Sequence, residues 1–574
     1  MASAISFQGL ATGLQTDALV NAILAQEGKG LAALQARQTR NKTRTSALNS
    51  LKTAMNTLSV SLAALQDKFN ARTVTSTDTN NTYVTATASG AATGSYDLTV
   101  STVATKGRIS PTLSGGIPTN LAVADPATAI FSSPKASFAV RGTDGVIKAF
   151  ELTNNSLIGL RDAINASGAG VTASIINTGT GATPYQLVVT AKETGTGTTS
   201  GVVTLAAIEN EDLSATTVDP ALGITAGTLT GTFAAPTGLS GGLQSSVAET
   251  AKDAVFTVNG IQLTRKSNVV TDAADGVTFT LKQGNQTGST TLTVAQDKTT
   301  ASNAMQDVIT KFNALLKIYK DAAASTKDTN GAVIQGALSN DATSRSVISQ
   351  VRAALTGVSA GLPGTAAYQI PASLGIKTMA DGTLSLDTTA FQAAIEKDPA
   401  AAKRLFTLSG ESSNGVLTFQ GGGANTATGA ISFTIDSYTA GGAVSGTFSG
   451  THNGSPFSIG LTGTNGNLMG AIGTPLEGFS VTVTATGSGT LTVSRGAGQA
   501  TRDLIAGLQA AGTGSIATSL SSIETNNQTL ATQIESAQSA LDRRKKVLQL
   551  QFSKMEVTIA QMRAAAGGLT STGV

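Results

Sequence analysis

Ser359, His452, Asp381 and Asp387 come closest in this chain to a set of reactive side chains. Ser359 is the centre of GVSAG (Gly357–Gly361), which matches the G-x-S-x-G pattern of a serine nucleophile. That chemistry needs a strand-to-helix turn beneath the serine and a histidine base within hydrogen-bond reach. Here the serine follows a stretch of helical pattern, and the sole histidine, His452, lies in a separate loop-like stretch, THNGS. GVSAG therefore reads as a glycine-rich helix end, and His452 as a solvated loop residue. Asp381 and Asp387, in DGTLSLD, read as turn and cap residues, and two nearby carboxylates do not by themselves define a hydrolase. The chain has neither a Walker sequence nor a dinucleotide fingerprint. Without cysteine there is no thiolate nucleophile, no disulfide and no zinc cluster of the usual kinds. The expectation is a protein without catalysis, cofactor or metal.

Charge adds two features. RQTRNKTR (Arg37–Arg44) and DRRKK (Asp542–Lys546) are basic runs in a chain whose net charge is only +3, from 38 basic and 35 acidic residues. Arg37, Arg40 and Arg44 share a helix face, and Arg543 and Arg544 sit in the second run. Both runs fall where apolar periodicity lapses. A solvated face is the default reading, and a subunit-contact patch is the functional alternative. Aromatic residues make up 4% and form no stacking platform among the basic ones, which argues against single-stranded nucleic acid. No run of about 18 apolar residues occurs, so no membrane insertion is expected.

The elements that must carry these residues fall into three zones, helical at both ends and strand-rich between. The 574 residues include 63 glycines and only 13% charged residues, about half the usual share of ~25%. Thr16 followed by Asp17 reads as an N-cap opening a short helix, with Leu19, Val20, Ile23 and Leu24 on one face. Gly28 and Gly30 are expected to interrupt it before a longer helix from about Leu31 to Phe69. Leu48, Leu51, Met55, Leu58, Leu62, Leu65 and Phe69 alternate spacings of three and four, a heptad seam that needs a partner helix. The C-terminal end offers one: Ile516, Leu520, Ile523, Asn527, Leu530, Ile534, Ala537 and Leu541 keep the same rhythm. Beyond the basic run, Leu548, Phe552, Met555, Ile559 and Met562 resume it with a stutter, and Gly567–Gly568 is expected to end the helix.

Between the ends, TYVTATA, YDLTVSTVA, SFAVRG, VTASIIN and YQLVVTA alternate with period two. AVFTV-NG-IQLT reads as a hairpin with a type I′ turn at Asn259–Gly260. Helices are expected near Ser156–Asn165, Ser302–Ala323, Ala342–Leu355 and Thr388–Leu405, and further strands from about Gly415 to Ser494. The expected fold class is α+β multidomain: a helical coiled-coil stem from the N- and C-terminal helices carrying inserted β-rich domains. The expected divisions are 1–30, 31–72, 73–300, 301–408, 409–500 and 501–574.

Several stretches carry a family likeness. FQGLATGLQTDALVNAILAQE resembles the start of the bacterial flagellar filament cap family, also called hook-associated protein 2 or FliD. In the same order follow SLIGLRDAINASGAGVTASIIN with YQLVVTAKETG, then DAVFTVNGIQLTRKSN with GVTFTLK. LGIKTMADGTLSLDTTAFQAAIEKDPAAAKRLF and LDRRKKVLQLQFSKMEVTIAQM complete the set. The stretch from about Ser409 to Ala500 departs from the shorter connection of many family members.

The resemblance implies a homo-oligomeric cap at the distal end of the growing filament, which retains exported flagellin and promotes its polymerisation. It also implies export through the flagellar type III apparatus without a Sec signal, an export chaperone, and an extracellular place at the flagellum tip. The oligomer number is left open. Ile5, Phe7, Leu10 and Leu14, with Gly9 and Gly13 permitting close backbone approach, are the expected contacts to filament or neighbouring subunits. Alone, that segment has too little apolar surface to offset its ordering entropy and is expected to stay mobile in a free subunit. The rival readings are a surface adhesin, suggested by the Thr/Gly-rich strands, and another flagellar axial protein, flagellin or a hook–filament junction protein.

Overall fold

The structure is a computed structural model and describes residues 15–113, 121–130, 136–198, 201–207 and 243–570. The helices are α1 (Thr16–Glu27), α2 (Lys29–Lys68), α3 (Leu157–Ala166), α4 (Lys298–Ala323), α5 (Ala342–Thr356), α6 (Thr388–Lys397), α7 (Pro399–Arg404), α8 (Ala497–Gln509) and α9 (Ser515–Thr570). The chain forms two compact units. One is Asn70–Asp297; the other joins the chain up to Phe69 with the chain from Lys298.

In the second of these the heptad seam becomes a core. Leu48, Leu51, Met55, Leu58, Leu62 and Leu65 are each 0% exposed. They pack with Met305, Val308, Ile309, Phe312 and Leu315 of α4, and with buried residues of α5, α8 and α9. Phe69 ends the seam with its ring stacked on Phe406 at 5.8 Å. Each such side chain removed from water contributes about 1.5–3 kcal/mol. The seam meets the expected C-terminal helix, α9, through Ile516, Leu520 and Ile523, and has a second partner in α4, which takes much of its surface. α4 has the broader apolar stripe, so it covers more of α2 than a two-stranded seam could.

Helix ends correct four further expectations. Thr16 is the first residue of α1 rather than a cap; Gln15 stands at the cap position, and its side chain makes no capping hydrogen bond. Gly28 keeps an αR conformation, donates to Leu24 O at 2.7 Å and accepts from Ala32 N–H at 3.0 Å. The interruption thus shrinks to one residue and Gly30 lies inside α2, because glycine permits a break without forcing one. For the same reason α9 runs through Gly567 and Gly568 to Thr570. The segment expected as one helix at Thr388–Leu405 is two: Asp398 leaves helical geometry ahead of Pro399 and caps α7 by accepting from Ala401 N–H.

An asparagine on α4 holds a strand. Asn313 Nδ2 donates to Leu384 O at 2.9 Å, and Leu384 N–H donates to Asn313 Oδ1 at 2.8 Å. A carboxamide here imitates the edge of a neighbouring strand. Asn313→Asp replaces the donor by a second acceptor facing a carbonyl. It is expected to cost about 2 kcal/mol, read as a lower denaturation midpoint, whereas Asn313→Ala should cost less.

The strands between Leu408 and Arg495 form one eight-stranded antiparallel sheet, ordered Leu408–Ser412, Gly487–Arg495, Gly429–Tyr438, Ala443–His452, Ser455–Thr464, Asn467–Met469, Ser480–Val483, Leu417–Gly421. The two end strands meet: a Cβ on Gly410 would fall 2.5 Å from the Phe419 ring, so the sheet curls nearly closed. Period-two alternation turns Ile431, Phe433, Ile435, Phe448 and Val481 inward to a core of their own.

Among the described residues of Asn70–Asp297 two cores form. One lies between a five-stranded sheet and the three-stranded sheet Val269–Ala274, Val277–Leu281, Val84–Ala88. Asn259 (φ 50°) and Gly260 (φ 80°) turn the hairpin Ala254–Val258/Ile261–Arg265, as a type I′ turn requires. The other core gathers around α3, whose Ser156 side chain accepts from Gly159 N–H at 3.1 Å.

Candidate assembly surface

None of the residues considered for chemistry enters a reactive arrangement. Ser359 is buried, its amide donating to Gln369 O at 3.1 Å and its hydroxyl accepting from Ala497 N–H at 3.3 Å. It caps the start of α8. His452 closes the hairpin between Ala443–His452 and Ser455–Thr464, its ring beside Asn453. Asp381 accepts from the hydroxyl and amide of Thr383, and these, with Lys320 beside it, hold its carboxyl below the usual range. Asp387 caps α6 by accepting from Ala390 N–H at 3.1 Å; that bond, with Lys377, holds its pKa down as well. Among the described residues no group of three or more His, Cys, Asp or Glu could hold a metal ion, and no helix is long and apolar enough to cross a membrane.

The surface with unspent binding capacity is the long pair formed by α1 and α2 with α9. The helices run antiparallel. Glu27 pairs with Arg544, residues 30–34 face 537–541, and residues 42–46 face 524–531. Leu530 and Leu548 are buried, but Leu31, Leu34, Leu520, Ile534 and Leu541 are only half-buried. A leucine seam covered by one helix keeps part of its area in water. Past the basic run Phe552, Met555 and Ile559 are half-buried, and Leu550, Val557 and Met562 are more than half exposed.

The basic residues divide. Arg37, Arg40 and Arg543 are exposed. Arg544 Nε donates to Glu27 at 3.2 Å. Arg44 is turned inward: its Nη2 lies 2.6 Å from Asp341 Oδ2, a carboxylate whose side chain is 2% exposed. Asp341 also caps α5, accepting from Ser344 N–H at 2.9 Å. The pair was invisible in the sequence because the partners lie 297 positions apart, although Asp341 just ahead of an apolar-periodic stretch carries an N-cap signal. Ile5, Phe7, Gly9, Leu10, Gly13 and Leu14 lie outside the described residues.

Asp341 gives a pH prediction. Burial pushes its pKa up, but the Ser344 amide and Arg44 together outweigh burial and hold it below the ordinary value. A depressed folded-state pKa stabilises fully above the unfolded value of about 3.9, and that contribution disappears as pH falls through the lower folded value. Asp341→Asn is expected to cost about 1–2 kcal/mol near neutrality. The gap between wild type and variant should close in acid, as measured by denaturation at a series of pH values.

The sequence has counterparts among known proteins. Residues 251–564 match the family described as flagellar hook-associated protein 2 C-terminus, and residues 12–107 match its N-terminus. Residues 152–193 match the flagellin hook IN motif. The chain is 32% identical over 403 residues to the B-type flagellar hook-associated protein 2 of Pseudomonas aeruginosa, covering 68% of this chain and 78% of that one. It is 30% identical over 423 residues to flagellar hook-associated protein 2 of Escherichia coli K12, covering 71% and 81%. A crystal structure titled flagellar cap protein FliD D1-D2-D3 domains, from Escherichia coli, superposes with a TM-score of 0.45 at 29% identity, over 62% of this chain and 89% of that one.

Proposed function

The chain belongs to the flagellar hook-associated protein 2 family, and on that premise we propose that it is a flagellar filament cap. It assembles with copies of itself at the distal end of the growing filament, retains arriving flagellin and promotes its polymerisation. The observation that carries this reading is the family match running from residue 12 to 107 and again from 251 to 564. The two matches include most of both long helices and the strands Arg72–Thr102, Ala254–Gln296 and Leu408–Arg495, and leave out the sheets built from residues 108–249.

A role for each part goes with this reading. The fully buried base of α2 with α4, α5 and α8 is a rigid support. The outer pair of α2 with α9 keeps half-covered leucines and exposed Arg37, Arg40 and Arg543 for contacts with other subunits. The N-terminal Ile5, Phe7, Leu10 and Leu14 add apolar side chains that gain by burial between neighbours, and ordering on contact gives modest affinity for the area involved. Delivery through the flagellar type III apparatus with an export chaperone, and residence at the flagellum tip, belong to the same proposal.

Electron microscopy of a strain lacking this protein, with assay of the medium, tests the role. A cap predicts missing filaments and flagellin spilled into the medium. Normal filaments with poor surface attachment would instead favour an adhesin, and absence of filaments with little spilled subunit would favour a flagellin. Deleting residues 1–15 should leave thermal unfolding of the remaining protein unchanged and sharply reduce elongation. Filaments of normal length from that strain exclude the N-terminal contact role.

A further inference from the structure

The curled sheet has a gap along one strand. Ser455–Thr464 pairs with Ala443–His452 over its whole length, from His452↔Ser455 to Ala443↔Thr464. On its other side the registered pair is Thr464↔Asn467, after which Asn467–Met469 turns away to Ser480–Val483. Among the described residues no strand lies beside residues 456–462 there. The two-residue loop Asn453–Gly454, with φ 51° and 81°, closes the hairpin, so His452 and Ser455 exchange both hydrogen bonds. The odd-numbered residues of the strand therefore bond to Ala443–His452. Pro456, Ser458, Gly460 and Thr462 turn their backbone groups to the empty side, and all four are exposed. Pro456 has no N–H to offer; the other three keep theirs.

Folded proteins commonly guard such an edge with charged side chains. Here no Asp, Glu, Lys or Arg stands between Asp436 and Glu477, where the chain's 13% would place about five. A patch on a two-fold axis meets its own copy, so any charge near the axis meets the same charge. An uncharged edge suits that contact. We propose that this edge pairs with the same edge of a second copy of the chain, antiparallel about a two-fold axis at Gly460. Gly460 then faces the partner's Gly460, and Ser458 faces the partner's Thr462, giving about six backbone hydrogen bonds. Pro456, which lacks a donor, falls opposite the partner's Thr464, whose backbone is already taken by Asn467. The two stops coincide in this register alone. Ile459, half-buried, gains the partner's Leu461 as a cross-strand neighbour. A Cβ on Gly460 would meet nothing within 4 Å, so the approach is unobstructed. The contact needs neither filament nor flagellin and goes beyond the capping role.

The chain has no cysteine, so introduced cysteines report the register in the full-length protein. Residues of a hydrogen-bonded pair lie about 5.5 Å apart at Cα, within disulfide reach. Under mild oxidation an equal mixture of Ser458→Cys and Thr462→Cys proteins should form at least fivefold more disulfide dimer than either protein alone. Thr434→Cys, exposed on a strand with neighbours on both sides, sets the background. Gly460→Lys sets like charges across the axis and should halve the particle mass measured by sedimentation, whereas Gly460→Ala should keep it. Mixing Gly460→Lys with Gly460→Glu should restore the full mass, which a misfolded variant could not do. Mixtures that cross-link no better than the single proteins, or a mass that Gly460→Lys leaves unchanged, would overturn the pairing and leave the edge to a strand of another protein.

Discussion

Arg495→Ala is expected to lower the stability of the helix-and-barrel unit by about 3–5 kcal/mol. Arg495 ends the strand Gly487–Arg495, and its guanidinium, 11% exposed, reaches the Asp503 carboxylate on α8. Its Nη2 also donates to Gly423 O at 2.8 Å and to Thr426 O at 3.3 Å. Its backbone exchanges both hydrogen bonds with Ala360, after α5. The side chain thus joins the mouth of the curled sheet to α8, while the backbone ties in the residues beyond α5. Truncation leaves Asp503, 20% exposed, with only Gln499 Nε2 at 2.8 Å among these donors, and strips two carbonyls of theirs. Arg495→Lys keeps the charge but not the planar fork, so it should fall between wild type and alanine. Chemical denaturation followed by a probe in α8 reads the loss. A change below about 1 kcal/mol would mean that this pair behaves as a surface ion pair.

This junction also marks where reading the chain ran out. Local patterns were legible because their causes are local. The seam from Leu48 to Leu65 announces burial through spacing alone, and Asn259–Gly260 announces its hairpin through two backbones that tolerate positive φ. The strands after Leu408 were visible through alternation, as in ISFTIDSY. What stayed hidden depends on residues far apart along the chain. The spacing on α2 states that a partner is needed but not how many, and α4 shares a place expected for α9. Arg44 looked like a member of a basic face, yet it serves a carboxylate brought from the far side of the fold. Arg495 carried no periodic signal at all. The expected contacts from Ile5 to Leu14 remain a reading of composition.

Leu58→Ala and Leu34→Ala test whether the two halves of α2 differ as their surroundings demand. Leu58 is 0% exposed and belongs to the core built with Met305, Phe312 and Val351. Its truncation removes buried methyl groups and leaves a cavity that several packed helices cannot close, an expected cost of about 3–4 kcal/mol. Leu34 is half-buried in the groove lined by Gly30, Leu31, Ala537 and Leu541. Water can follow the lost side chain there, so the expected cost is about 1 kcal/mol. The contrast should reverse in filament assembly. Leu58→Ala, kept below its lowered melting temperature, retains the outer surface and should still support elongation. Leu34→Ala, nearly as stable as wild type, removes apolar area that the proposed role reserves for a neighbouring subunit, and filaments should shorten. Equal costs in denaturation would mean that the outer hairpin is as enclosed as the base. Full-length filaments from Leu34→Ala would remove that leucine row from the assembly surface.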